Sequence, residues 1–162
     1  MVIREDPPMQ NMSEAMWKRH ANPWSVWTRF AAIPAFMLAV WSRVWIGWWS
    51  LVPVLLVIVW LYLNVLVFPP IEKPTSWASK GIYGEKLWLS MRSELPRHYD
   101  LIQRRLIVLG LLGMVMIGWG LYRLHFWASL LGAVVLILAQ LWRIDRFSTL
   151  YELLENRDEH PR

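Results

Sequence analysis

Residues 44–68 read VWIGWWSLVPVLLVIVWLYLNVLVF, twenty-five positions without a charged side chain. A helix rises about 1.5 Å per residue, so about 20 residues cross the roughly 30 Å hydrocarbon core of a bilayer. A helix in a soluble bundle keeps a polar face, and this stretch has none. Its reading decides the class: an all-α chain built for a membrane.

Three further apolar runs lie on either side: Trp24–Trp41, Leu106–Tyr122 and Phe126–Trp142. The last two are short, but their Trp and Tyr ends extend them into the interface. Thr28 and Arg29 interrupt the first. The expected fold is a polytopic membrane helical bundle, a single membrane domain over 1–162. Four transmembrane helices are expected near 24–41, 44–68, 106–122 and 126–142, with short interfacial helices. The third run carries Gly110, Gly113, Gly118 and Gly120. Small residues let helices approach in lipid, and Gly110 and Gly113 share a face best. Pro34 and Pro53 are expected to bend the first two spans. The tail FSTLYELLENRDEH, 147–160, reads as a separate short amphipathic helix ending in solvent.

Composition agrees. The 162 residues are 56% hydrophobic and include 13 Trp, a residue that favours the bilayer interface. The absence of Cys excludes disulfides, zinc–thiolate sites, iron–sulfur clusters and thiol catalysis. The net charge of +5 would suggest nucleic acid in a soluble protein. Here the basic residues flank apolar runs, so anionic lipid headgroups are the expected partner and nucleic acid is not. The polar start MVIREDPPMQ carries no signal-peptide pattern.

Lys and Arg also predict orientation. Arg4, Lys18 and Arg19 precede the first run. The loop 69–105 holds Lys73, Lys80, Lys86, Arg92, Arg97, Arg104 and Arg105, and the tail 143–162 holds Arg143, Arg146, Arg157 and Arg162. The two short turns hold only Arg43 and Arg123. The positive-inside rule then places both termini, the loop and the tail on the cytoplasmic side of the inner membrane.

Two polar constellations interrupt the apolar pattern. The first is HANPWSVWTRF, 20–30. Ser13 caps a short helix EAMWKRH, and Asn22-Pro23 reads as the N-cap and first residue of the first span. Arg29 lies about one and a half turns inside that span. It either snorkels to the interface or needs an internal acceptor, with Asn64, Glu72 and Glu85 as candidates. The second is LNVLVFPPIEKPTSWASKGIYGEKLWL, 63–89. Pro69 and Pro70 end a helix, Gly81 and Gly84 permit close backbone geometry, and Lys80 and Glu85 offer a local ion pair. Leu87, Met91 and Leu95, with Trp88 beside them, form a stripe suited to lying on the cytoplasmic membrane face. If this loop folds back on the spans, His20, Asn22, Trp27, Arg29, Asn64, Trp77, Lys80 and Glu85 form a polar pocket at the cytoplasmic mouth.

The ordered pieces HANPWSVWTR, WSRVWIGWW, LNVLVFPP and WASKGIYGEKLWL resemble a family of small Trp-rich prokaryotic integral membrane proteins, a domain of unknown function. The resemblance covers roughly residues 17–90. It implies a compact multi-span fold and no particular activity. The positions it carries are His20, Asn22, Trp27, Arg29, Asn64, Phe68, Pro69, Trp77, Gly84 and Glu85. The resemblance implies Pro after the asparagine of the second-span motif in many related chains, where this chain has Val65.

Motifs for chemistry are sparse. The four histidines, His20, His98, His125 and His160, show no metal-ligand spacing with one another, and no metal or cofactor is expected. ELPRHYD brings Glu94, His98 and Asp100 close in sequence, but Pro96 marks a loop into the third helix, whose N-terminus Asp100 suits. WRIDR, 142–146, reads as a local ion pair around Asp145. No nucleophile elbow, phosphate loop or dinucleotide fingerprint occurs.

The expected function is an oligomeric pore or carrier made of identical subunits, or a membrane-embedded binding protein for a small solute, with Arg29 and the basic cytoplasmic rim favouring anions over cations. One alternative is an enzyme acting on a lipid or isoprenoid, with Glu85 or His20 as acid–base group and Arg29 or Lys80 on a phosphate. Another is an accessory subunit whose loop and tail bind a partner. His20, Arg29, Asn64 and Glu85 facing one closed pocket would favour the enzyme. Their repetition around an axis would favour the pore.

Overall fold

The computed structural model describes residues 13–92 and 94–159, with side chains to 156. Arg4, His160, Arg162 and the polar start 1–10 lie outside them, as does the Arg157 side chain. The described residues contain helices and no strand. Seven α-helices follow in order: α1 Glu14–His20, α2 Pro23–Trp41, α3 Arg43–Ile46, α4 Leu51–Val67, α5 Trp77–Ser90, α6 Arg97–Arg123 and α7 Phe126–Glu159.

The first helices start where their capping chemistry lies. Ser13 Oγ accepts the Met16 N–H at 3.3 Å. Asn22 Oδ1 accepts the Trp24 N–H at 3.0 Å, with Pro23 as first helical residue. Proline loses nothing there because its N–H would be unpaired in any case. The Asn22 amide also donates to the Pro69 carbonyl at 3.1 Å, tying the start of α2 to the end of α4.

Three stretches are long and apolar enough to cross a membrane: Pro23–Val67, Arg97–Arg123 and Phe126–Asn156. The first is not one rod. Between α2 and α4 the chain turns through α3 and a 3-10 turn, Gly47–Ser50. The expected run 44–68 is therefore regular α-helix only from Leu51. Gly47 sits at φ 55°, ψ −130°, a conformation closed to side chains with a Cβ. α2 and α4 pair antiparallel. Asn64 Oδ1 accepts from Ser25 Oγ at 2.6 Å, and its amide donates to Thr28 Oγ1 at 2.7 Å. Asn64 is the one buried residue of α4, and the exposed remainder is largely Leu, Val, Ile and aromatic. Pro53 falls in the first turn of α4, where its missing N–H breaks no ladder, so the bend expected there has no cause. Pro34 does lie inside α2.

α6 and α7 form a second antiparallel pair. The contact face is Gly110, Gly113, Ile117 and Gly120, wider than Gly110 and Gly113 alone. A Cβ at Gly113 would lie 2.7 Å from Leu136 N, and one at Gly120 2.5 Å from Ser129 N. Gly118 faces open space. At the turn between them, Arg43 donates to the carbonyls of Leu121 and Tyr122. A cation there meets the negative end of α6.

α7 differs most from expectation. Instead of a span followed by a separate tail helix, it is one helix of 34 residues, about 50 Å long. Its second half carries α5, which runs parallel to it. A Cβ at Gly84 would fall 1.9 Å from the Phe147 carbonyl oxygen, and one at Gly81 3.0 Å from that of Ile144. Trp88 packs on Phe147 and Leu150. The tail is therefore a continuation of α7 rather than a helix of its own, with Phe147 and Leu150 buried, and the Leu87–Leu95 stripe does not form one helix. α5 begins ten residues before that stripe, ends at Ser90, and buries Trp88 against α7.

Candidate anion site between α2, α5 and α7

Two apolar clusters join the α2 hairpin to the α5–α6–α7 body. Near the chain's charged end, Ala21, Val26, Ala78 and Ile82 pack with Phe30 and Ile144. Towards the other end, Ile33, Phe36, Met37, Val40 and Trp41 of α2 pack on Ile117, Leu121 and Ala133. Between these clusters lies a cavity of about 270 Å³. Its polar lining is His20, Arg29, Glu85, Gln140 and Arg143, and its apolar lining comes from Val26, Phe30, Ile33, Ile82, Ile144 and Phe147.

Arg29 reaches back along its own helix. Nε donates to the Ser25 carbonyl at 2.9 Å, and Nη2 to the His20 carbonyl at 3.1 Å. Nη1 lies 2.9 Å from Nδ1 and 2.8 Å from Nε2 of His20. A guanidinium only donates, so the imidazole must accept and is neutral. Burial, then the charge of Arg29, push the His20 pKa down from 6.5 to about 4. All the acceptors of Arg29 are neutral, and among the described residues no carboxylate forms a salt bridge with it.

Glu85 instead accepts from Arg143 Nη2 at 3.1 Å, while Arg143 Nη1 donates to Gln140 Oε1 at 3.0 Å. The Arg143 and Glu85 side chains are 18% and 27% exposed. Arg143 Nε is buried and has no hydrogen-bond partner among the described residues. Burial raises the Glu85 pKa, against the lowering influence of Arg143 and Arg29.

Of the eight residues the sequence singled out, His20, Arg29 and Glu85 line this cavity. Asn22 and Asn64 bind the hairpin together. Trp27 and Trp77 stack at 6.2 Å and border a separate apolar groove with Trp142 and Asp145. Lys80 pairs with Glu152 at 2.7 Å, so the local Lys80–Glu85 pair does not form. Of the three candidate partners of Arg29, Asn64 is taken by Ser25 and Thr28, Glu72 by Lys18, and Glu85 by Arg143. Asp145 is paired with Arg146 at 3.6 Å and accepts the Trp77 indole N–H at 3.4 Å. Asp100 stands in the first turn of α6, bonded to Arg92 and Arg104.

Sequence reading missed Arg143 and Gln140. Their signal is the spacing 140, 143, 144, 147, one helical face, visible only if α7 is read through Trp142 without a stop. Among the described residues no group of three His, Asp or Glu could hold a metal ion.

Fold and cavity together describe a helical protein with stretches long and apolar enough to cross a membrane and a charged cavity between α2, α5 and α7. The chain belongs to the family described as Family of unknown function (DUF6653), which matches residues 10–160. No curated protein and no solved structure matches it.

Proposed function

We propose that this is a membrane-embedded binding protein for a small anionic ligand, held between Arg29 and Arg143. The observation that carries the reading is the pair of guanidiniums facing one cavity with a single carboxylate between them. A buried charge without a counter-ion is expensive. An entering anion would accept charge-assisted hydrogen bonds from the Arg29 and Arg143 guanidiniums.

In this reading the α2–α4 hairpin contributes two spans and α6 and the first half of α7 two more. The basic residues around α1, α5 and the end of α7 face the cytoplasm and its anionic headgroups. Transport would require several copies of the chain, since the cavity is a recess within one. Native mass spectrometry from lipid-retaining particles counts those copies and weighs any retained small molecule.

The direct test is the melting temperature of the full chain in lipid nanodiscs with acetate, inorganic phosphate or a cation at matched ionic strength. A ligand that binds only the folded state raises it. We expect an anion to stabilise the wild type and not the Arg29→Gln variant. Equal shifts in both proteins, or with the cation, would refute the site.

The gathering of His20, Arg29 and Glu85 in one cavity favours a second reading, an enzyme acting on a phosphate-bearing lipid. It is the weaker one. His20 is occupied as an acceptor by Arg29 and Glu85 is held by Arg143. Among the described residues no hydroxyl or amine side chain lines the cavity to act as a nucleophile.

A further inference from the structure

The cavity holds about 270 Å³, the space of roughly nine groups of water size at ~30 Å³ each. That is the bulk of an acid with one ring or a short chain. Its charges sum to one net positive: Arg29 and Arg143 against an ionised Glu85, with His20 accepting from Arg29 and so neutral. The rest of the wall is hydrocarbon from Val26, Phe30, Ile33, Ile82, Ile144 and Phe147.

A hydrated inorganic anion gains little from such a wall. A sugar phosphate would bury hydroxyls without partners, which is unfavourable. A phosphate dianion would also leave the site net negative. Each constraint points to the same chemistry, a single negative charge on an apolar body.

We infer that the cavity between α2, α5 and α7 takes a small organic monoanion, a carboxylate carrying an aromatic or short aliphatic body. The inference rests on the anion-site reading above. The carboxylate bridges Arg29 on α2 and Arg143 on α7. The body packs between Phe30, Ile33 and Ile82. Because the two arginines belong to different halves of the fold, the ligand also ties the hairpin to the α5–α6–α7 body.

Isothermal titration of the full chain in lipid nanodiscs tests this with benzoate, acetate, inorganic phosphate and benzyl alcohol. We expect one benzoate per chain, bound at least roughly tenfold more tightly than acetate or phosphate. Benzyl alcohol, of the same shape without the charge, should not compete. Ile33→Val removes one methylene, spares the fold, and should weaken benzoate while leaving acetate unchanged. Benzoate, acetate and phosphate binding alike, all lost in Arg29→Gln, would overturn this inference and leave the anion site standing. Benzyl alcohol matching benzoate, benzoate binding unchanged in Arg29→Gln, or no anion binding at all would overturn both.

Discussion

α7 makes two kinds of seam. Against α6 and α5 it meets glycines, and the backbones close until a single added carbon would strike Leu136, Ser129 or Phe147. Against α2 it meets Phe30, Ile33 and Arg29, and a cavity remains. The difference is one of side-chain size. Glycine lets helix axes approach and leaves no space for a ligand. Long side chains hold the helices apart, and where they carry charge they keep the gap polar. The tight seams build a scaffold, and the loose one is where chemistry can enter.

The strongest way to break this contrast is to put a side chain into a tight seam. Gly84→Ala should have the largest effect, since its Cβ would overlap the Phe147 carbonyl and α5 must move. The loss is about 3 kcal/mol or more, read as a fall in melting temperature or a failure to fold. If this variant melts like wild type, α5 is not docked on α7 as described.

The loose seam should respond through charge. Arg143→Gln leaves Glu85 buried without its partner. Removing one member of a buried pair typically costs 3–5 kcal/mol. With a quarter of Glu85 still exposed, about 2 kcal/mol is expected. Glu85→Gln should be milder in stability and should tighten anion binding, because Arg143 loses its internal competitor. Weaker anion binding in Glu85→Gln would refute that competition.

Acidity sharpens the same comparison. The His20 pKa is lowered from 6.5 to about 4 in the folded chain. Between those values the unfolded chain holds more protons. Stability present above pH 6.5 is therefore lost as pH falls through this window, by at most about 3 kcal/mol. Glu85 acts in the opposite sense. Its raised pKa contributes stability at low pH that is lost as pH climbs from 4.5 through the folded value. Melting curves from pH 7 to 4 should show less acid sensitivity in His20→Gln and more in Glu85→Gln. Identical profiles for wild type and His20→Gln would remove His20 from the balance.

The smallest effect should come from Gly118→Ala. Nothing lies within 4 Å of a Cβ there, so alanine should be neutral or stabilising by up to about 1 kcal/mol through helix propensity. A clear destabilisation would mean that this side of α6 is itself a packed seam.

Much of the fold was legible because it is local. Ser13, Asn22 and Pro23 start helices through bonds to residues two or three positions away, and those bonds form as the spacing predicted. The apolar runs announce themselves by composition. The break at Gly47 was hidden, since a turn of Trp and Ile reads like a span. The end of α7 was misjudged for a related reason: polarity rising after Trp142 looked like a stop, when α5 covers that half of the helix. The site was legible in part. Arg29 was conspicuous as a charge inside an apolar run, and His20 and Glu85 accompany it in the cavity. Its partners Arg143 and Gln140 looked like ordinary interfacial residues.

The sequence by itself determined helices, their capped beginnings, their apolar length and the end of the molecule that gathers positive charge. Each follows from residue type and short-range spacing. Tertiary structure decided which partner of opposite charge Glu85 and Lys80 would each meet. Glu85 stands five residues from Lys80 yet pairs with Arg143, 58 positions away, because Gly81 and Gly84 seat α5 on α7 and turn Glu85 inward. Lys80, on another face of the same helix, reaches Glu152. Charge pairing depends on distances of a few ångströms, and those distances are set by how closely helices far apart in sequence pack.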